Sequence, residues 1–377
     1  MDRNNSDERR LREIAWAFLR LGFVAFGGAL AHIALMEDEF VRRRAWLSRE
    51  EFVDRVGAVN LLPGPTSTEM VIYLGQLRGG FPGLLIAGTA FILPSAVMML
   101  AMAWIYVRFG AMPQIAGLLW GVKPVVVVLV VHAVWSLGKT VLKSRELMVL
   151  AAIVLGLAAM HVSTLALLVG TGVAWIVANR FGQARGAVAI SVVGGSAVTA
   201  TITTTGVFMY FLKIGALLFG SGYVLLAVLR EDLVTRLHWL SETQLLDAIA
   251  VSQATPGPFF TVATFVGYLL SGWRGAVLAT IGMFVPAFTY VAVTARVLPR
   301  LRKSPIAGTF LDGVNVAAVA LMAFVGFQFA REALVAPLAV AIGLISALLV
   351  FRYRVNSAWV ILGGAVCGLI GKLASIR

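Results

Sequence analysis

The chain is 377 residues long, 60% hydrophobic and only 13% charged, with a mean hydropathy of +0.91. Soluble domains carry roughly 25% charged residues, so this composition excludes an ordinary aqueous surface and makes lipid the expected solvent. The 31 Lys and Arg outnumber the 18 Asp and Glu, for a net charge of +13. No basic stretch is interleaved with aromatics as a nucleic-acid face would be, so the excess is assigned to cytoplasmic loops and nucleic acid is not an expected partner.

A bilayer core needs about 20 apolar residues per helix, and a backbone inside it must satisfy its own hydrogen bonds. The apolar runs here are long and continuous, which selects helices over barrel strands. Met1 to Glu13 is charged and is read as the start of a retained first helix, not a signal peptide. Apolar segments then follow at 14–36, 81–107, 114–138, 146–160, 162–179, 186–204, 207–229, 273–295, 310–330, 333–351 and 355–374. Residues 48–79 and 241–272 break the pattern midway, at Pro63-Gly64-Pro65 and Pro256-Gly257-Pro258. Proline removes a backbone donor and glycine permits irregular angles, so no helix passes either triplet unbroken. The single cysteine, Cys367, lies in the last apolar segment, which excludes a disulfide framework or a Cys-based metal site. His32, His132, His161 and His238 show no metal-ligand spacing and are read as structural, and no phosphate-binding Gly-x-x-x-x-Gly-Lys-Ser/Thr loop occurs. No cofactor or metal is expected, and transport by this chain's own ATP hydrolysis is not.

Self-similarity is the strongest signal in the chain. At an offset of 193, Phe26-Gly27 matches Phe219-Gly220, Trp46-Leu47-Ser48 matches Trp239-Leu240-Ser241, Asp54 matches Asp247, and the Pro-Gly-Pro triplets coincide. After a one-residue slip, Gly75 meets Gly267, Pro94 meets Pro286 and Gly121-Val122 meets Gly313-Val314. Chance likeness between apolar segments comes from Leu and Val, not from Trp-Leu-Ser and Pro-Gly-Pro in register. The expected organisation is a first transporter repeat over 1–183, a linking transmembrane helix over 184–205 and a second repeat over 206–377. Six crossings per repeat plus one linking helix would invert the second copy. Loop charges agree: Lys139, Lys143 and Arg145 face only Arg331 beside Glu332 at the equivalent loop, and Arg296, Arg300, Arg302 and Lys303 face only Arg108. The expected fold is therefore an all-α integral membrane protein of two inverted repeats with broken helices, about 13 crossings and a cytoplasmic N-terminus. Arg42-Arg43-Arg44 would fall outside and disagrees; a re-entrant hairpin at Pro-Gly-Pro is the alternative.

Paired interruptions at corresponding places in two halves point to a transporter's binding site. Here they comprise Asn60, Pro63, Gly64, Pro65, Thr66, Ser67 and Thr68, and Gln253, Pro256, Gly257, Pro258 and Thr261. A helix restarting after such a break offers free N–H groups and the positive end of its dipole, which suits an anion; the hydroxyls either add donors or merely cap the helix. Arg20 and Lys213 occupy equivalent places near the start of apolar segments, where they either meet a dianion or snorkel to the interface. Lys123, between Gly121 and Pro124, is a further cavity-lining candidate, and Glu69, present in the first copy only, is the candidate coupling carboxylate. Asp54 and Asp247 are read as caps or as partners of loop arginines. Phe26-Gly27-Gly28 is read as a close-packing site.

The stretch Phe26-Gly-Gly-Ala-Leu-Ala-His32, followed by Glu39, Trp46-Leu47, Phe52-Val-Asp54 and Leu62-Pro-Gly-Pro65, resembles the N-terminal signature of the chromate ion transporter family, and the second copy resembles its C-terminal counterpart. The resemblance covers nearly the whole chain. It implies a non-enzymatic secondary transporter in the bacterial cytoplasmic (inner) membrane that exports chromate and so confers resistance, with sulfate as a competing oxyanion. The residues alone reach only an inverted-repeat anion transporter, since chromate and sulfate are both tetrahedral dianions. An uptake carrier for sulfate or another inorganic anion is the rival within transport; an intramembrane enzyme would need a nucleophile or metal constellation that the sequence does not display. Lipid is the expected surrounding, and a homodimer is compatible with the sequence.

Overall fold

The computed structural model describes residues 2–110, 112–180, 202–219, 222, 224–294 and 304–374, with side chains from Asp7 onward. Most of the expected segment at 186–204, the loop at 296–303 and the Gly220-Ser221 step lie outside these residues. Those described form helices and no strand. In chain order they are α1 (Asp2–Val24), α2 (Ala29–Met36), α3 (Arg49–Val59), α4 (Thr66–Phe109), α5 (Pro113–Val141), α6 (Arg145–Ala159), α7 (Thr164–Arg180), α8 (Thr204–Leu217), α9 (Val224–Leu229), α10 (Glu242–Ala254), α11 (Val262–Thr294), α12 (Pro305–Ala333), α13 (Pro337–Ala347) and α14 (Ser357–Ala374). Among the described residues, five stretches are long and apolar enough to cross a membrane: Thr66–Phe109, Pro113–Val141, Phe259–Thr294, Pro305–Ala333 and Ser357–Ala374. Leu85, Leu93, Val97 and Trp104 stand exposed along α4, a surface that water would penalise and lipid accepts.

Two expected helices are corrected. The segment 14–36 stops at Val24, turns through Gly27 at φ +102° and restarts at Ala29. Its counterpart 207–229 likewise stops at Leu217 and restarts at Val224. Phe26-Gly27-Gly28 is thus a break, not a close-packing step within a helix; hydrophobicity cannot reveal a backbone reversal that only glycine accepts without strain. The two longest helices are also divided. Gly79 and Gly80 leave helical geometry inside α4, with Pro82 opening its second half, and Ser271 and Gly272 do so inside α11.

The backbone itself records the repeat. Ala45 and His238 take left-handed φ of 49° and 53°, and His161 and Arg354 take 59° and 52°; both pairs lie at the repeat offset. Single-turn π-helical stretches, Glu37–Arg43 and Arg230–Arg236, precede the first of these pairs. Ser48 caps α3, accepting from the Glu51 amide while the Glu51 carboxylate accepts from the Ser48 amide, and Ser241 and Gln244 repeat this reciprocal cap before α10.

The chain divides into two compact units, each drawing on both copies of the repeat. The first unit comprises Met1–Trp104, Ile202–Leu218 and Val251–Ser304. In it, Gly22 of α1 lies against the Phe91 carbonyl and Pro94 of α4, and Gly215 of α8 against the Met283 and Gly282 carbonyls of α11, so equivalent glycines set equivalent helix contacts. Phe18, Phe40 and Trp46 stack beside this core. The arginine-rich turn that conflicts with the charge rule is neutralised locally: Arg43 pairs with Asp38 at 2.9 Å, and Arg44 with Glu39 at 2.7 Å and Glu13 at 3.1 Å. Burial alone would raise Glu13, but hydrogen bonds from Trp46, Arg78 and Arg44 outweigh it and hold this carboxyl below its ordinary range.

The second unit comprises Ile105–Thr201, Phe219–Ala250 and Pro305–Arg377. Here α5 packs on α14 and α7 on α12. A Cβ at Gly121 would overlap the Gly364 carbonyl and the Gly368 backbone, and one at Gly313 would overlap the Thr171 carbonyl and Gly172. Gly121 is equivalent to Gly313, and Gly172 to Gly364, so each copy packs on the other through the same two positions. Without a hydrophobic drive between helices in lipid, such close backbone approach supplies the dispersion contact that holds them.

Candidate functional site

Both Pro-Gly-Pro breaks lie in the first unit. At the first, α3 ends at Val59 with Asn60 as its cap and α4 begins at Thr66, whose first turn is closed by Thr68 and Glu69 amides donating to the Pro65 carbonyl at 2.8 and 3.0 Å. Gly64 takes φ +136°. The Glu69 carboxylate folds back into the space a side chain at Gly64 would fill: its Oε1 lies 2.6 Å from the position of a Cβ there, and the Gly215 carbonyl of α8 lies 3.8 Å from the same point. Glu69 is fully buried, and among the described residues neither carboxylate oxygen has a hydrogen-bond partner, nor does the buried Thr68 hydroxyl. Unsatisfied buried polar groups are uncommon and call for an explanation.

The second break mirrors the first with different side chains. Gly257 takes φ +95°, and its amide donates to the Ala25 carbonyl at 2.8 Å. A Cβ on Gly257 would lie 2.6 Å from the Ser95 Cβ and 3.3 Å from the Gly22 carbonyl. The Thr261 hydroxyl donates to the Pro258 carbonyl at 2.8 Å, which leaves it to accept from Ser95 at 2.7 Å. Gln253 is buried, and its Nε2 has no partner among the described residues. Each break therefore rests on the first helix of the opposite copy: Gly257 on α1, Gly64 on α8.

His32, read from the sequence as merely structural, joins the two breaks. Gly27 and Gly28 let α2 start close beside α1, and from its first turn the buried imidazole reaches both ways. Its Nε2 lies 3.1 Å from the Ala25 carbonyl, the same oxygen that accepts from Gly257, and its Nδ1 lies 3.2 Å from the Ser67 hydroxyl at the start of α4. A carbonyl only accepts, so Nε2 carries a proton; in the neutral ring Nδ1 then accepts from Ser67.

The remaining expected residues divide. Pro65, Ser67, Thr68, Pro256, Pro258 and Thr261 are buried at the breaks, Pro63 and Thr66 are half-buried, and Asn60 is exposed at the end of α3. Arg20 and Lys213 are exposed, one turn before the ends of α1 and α8, because those helices begin earlier than the apolar runs and stop at the glycine breaks. Lys123 belongs to the second unit and pairs at 3.1 Å with Asp247, which also accepts from the Tyr106 hydroxyl at 3.0 Å. Asp247 thus meets an intramembrane lysine and a tyrosine rather than a loop arginine. No sequence spacing points to that pair, since 124 residues separate its members.

Comparison with known proteins explains the doubled architecture. The profile of the chromate transporter family matches the chain twice, over residues 12–176 and 205–369. The chain belongs to the chromate transporter family. The two matches are offset by the repeat distance, so the internal duplication is a duplication of the family's own unit. Among relatives, the chromate transport protein of Cupriavidus metallidurans is 29% identical over 96% of this chain and 93% of its own length. The chromate transport protein of Pseudomonas aeruginosa is 31% identical over 93% of this chain and 90% of its own, and the probable chromate transport protein of Synechococcus elongatus is 30% identical over 86% of each. No solved structure matches the chain.

Proposed function

We propose that this chromate transporter family member is a secondary transporter that carries chromate out of the cytoplasm across the bacterial inner membrane, with sulfate as a competing oxyanion and chromate resistance as the result. The observation that carries the proposal is the pair of glycine-centred breaks in one unit, lined by buried Thr68 and Gln253 donors that have no partner among the described residues. Buried donors lose several kcal/mol of hydration unless something accepts from them, roughly 1–3 in proteins, and a tetrahedral oxyanion offers four acceptors. Helix α4 restarts at this point and directs the positive end of its dipole there. The proposed site is built from Asn60, Pro63, Gly64, Pro65, Thr66, Ser67 and Thr68 and from Gln253, Pro256, Gly257, Pro258 and Thr261. The exposed Arg20 and Lys213 are assigned to the anion's approach and Lys123 to the second unit's polar interior. Glu69 is assigned to coupling: ionised, it would repel a dianion from the cradle it occupies, so a proton on Glu69 and an anion in the cradle belong together. The opposed loop charges support copies running in opposite senses, with about 13 crossings and a cytoplasmic N-terminus.

Everted vesicles containing the protein should accumulate chromate, with a rate that depends on an imposed proton gradient. Accumulation of neither chromate nor sulfate would overturn the transporter reading. Sulfate accumulation confined to right-side-out vesicles would replace export by uptake.

A further inference from the structure

The internal repeat provides its own control for what the fold requires. Three polar residues of the first copy, His32, Ser67 and Glu69, correspond at the repeat offset to Leu225, Phe260 and Val262. All six are buried. The second copy therefore builds the same break, with the same left-handed glycine, from apolar side chains. Polarity at these positions is not a condition of the backbone geometry, and burying an imidazole and a hydroxyl instead of Leu and Phe forgoes hydrophobic stabilisation.

His32 is placed to act on both breaks at once. Its Nε2–H and the Gly257 amide share the Ala25 carbonyl, and its Nδ1 holds Ser67, the second residue of the helix that restarts after the first break. The other groups that face it are the Phe91 ring, edge-on at 5.8 Å from α4, and the backbone of the Ala25 to Gly28 turn. Glu69, two residues beyond Ser67, is the titratable group in the same turn of α4. In the neutral ring the Ser67 O–H is consumed by Nδ1, so this hydroxyl presents only lone pairs elsewhere. When Nδ1 takes a proton it becomes a donor, Ser67 must accept from it, and the Ser67 proton is released to point away from the ring. An oxyanion at the break would find an acceptor in the first state and a donor in the second.

Resting on the assignment of the breaks as the oxyanion site, we infer that His32 is a proton-linked positioning residue: protonation at Nδ1 reverses the Ser67 hydroxyl, so that a proton and a tetrahedral oxyanion are taken up together. The balance is simple. One proton enters at Nδ1, the Ser67 O–H turns from nitrogen to the anion, no covalent bond to carbon or sulfur changes, and the proton leaves when the anion does. The cost of charging a buried imidazole is offset by the dianion that the freed hydroxyl helps to hold. The asymmetry of the copies follows, because Leu225 and Phe260 cannot reproduce the switch.

The test is initial-rate chromate uptake into proteoliposomes containing the full-length protein, measured from pH 6 to pH 8 for the wild type, His32→Gln, Ser67→Ala and Ser67→Thr. Chromate itself takes up a proton near neutral pH, so each variant is compared with the wild type at the same pH. Wild-type KM should fall on acidification beyond that shared background by up to about tenfold per pH unit for each linked proton, one on Glu69 and one on His32. His32→Gln and Ser67→Ala should lose the histidine's share of that dependence, up to about tenfold per pH unit, and keep the share of Glu69, while Ser67→Thr, which keeps the hydroxyl, should retain both. If His32→Gln fails to fold, Ser67→Ala decides, since it leaves the bond from Nε2 to Ala25 in place. A pH profile of Ser67→Ala that parallels the wild type would overturn the switch while leaving the oxyanion site standing. Absence of saturable chromate uptake by the wild type at any pH would instead remove the reading on which the inference rests.

Discussion

Substituting Gly257 by alanine is a sharp test of how the second break is built. The residue sits at φ +95°, where a side chain costs about 1–2 kcal/mol. The new Cβ would also meet the Ser95 Cβ at 2.6 Å, a backbone-proximal carbon that cannot swing aside, adding about 1–3 kcal/mol of overpacking. Gly257→Ala should therefore lose about 2–5 kcal/mol. Gly64→Ala is the comparison: its Cβ would meet the tip of the Glu69 side chain, which can rotate, so only the backbone cost of about 1–2 kcal/mol is expected. Unfolding of the purified proteins by sodium dodecyl sulfate titration in mixed micelles measures both. Ser95→Gly removes the obstructing carbon, so a double-mutant cycle with Gly257→Ala should show a favourable coupling of about 1–3 kcal/mol. Equal destabilisation at Gly64 and Gly257, or a cycle without coupling, would refute the placement of Ser95 against the break.

Three further outcomes follow from the same geometry. Lys123→Ala strands a buried Asp247 and should cost about 3–5 kcal/mol, seen as loss of monodisperse protein on gel filtration, whereas Lys123→Met combined with Asp247→Leu should recover most of it. Glu69→Gln keeps the shape of the cradle's occupant but carries no charge or titratable proton, so chromate uptake should respond more weakly to a proton gradient than the wild type does while chromate counterflow persists; a gradient response like the wild type's would remove Glu69 from coupling. Glu13 is held below its ordinary value of 4.5, so its stabilising bonds are present above that pH and are lost as pH falls through the lowered value. Acid titration of thermal unfolding should then show a steeper loss below pH 4.5 for the wild type than for Glu13→Gln.

What the sequence discloses here depends on whether the signal is local. Pro63-Gly64-Pro65 and Pro256-Gly257-Pro258 are legible because proline and glycine constrain the backbone wherever they stand, and Trp-Leu-Ser repeated in register reveals the duplication against a background of Leu and Val. The breaks after Val24 and Leu217 are not legible from hydropathy, because the runs stay apolar straight through them; the left-handed angle at Gly27 is a three-dimensional fact. Arg20 and Lys213 are misplaced along their helices for the complementary reason. Polar residues from Asp2 onward continue α1 below the apolar run, so a cation near the start of the run is near the end of the helix. The Lys123–Asp247 pair and the His32 bridge to Ser67 and Ala25 join elements distant in sequence, and neither charge pattern nor ligand spacing encodes such contacts. The histidine does carry one trace, its place inside Phe26-Gly-Gly-Ala-Leu-Ala-His32, but a motif without geometry names a residue and not its partners.

The central claim is that chromate is held at the paired breaks, and Thr68→Val tests it most directly. Its hydroxyl is buried with no partner among the described residues, so the isosteric change removes a donor without breaking any bond described for it. Chromate counterflow in proteoliposomes of the wild type and Thr68→Val should show a several-fold higher half-saturation concentration in the variant, with the rate at saturation largely kept. An unchanged half-saturation concentration would contradict the placement of the oxyanion at the breaks.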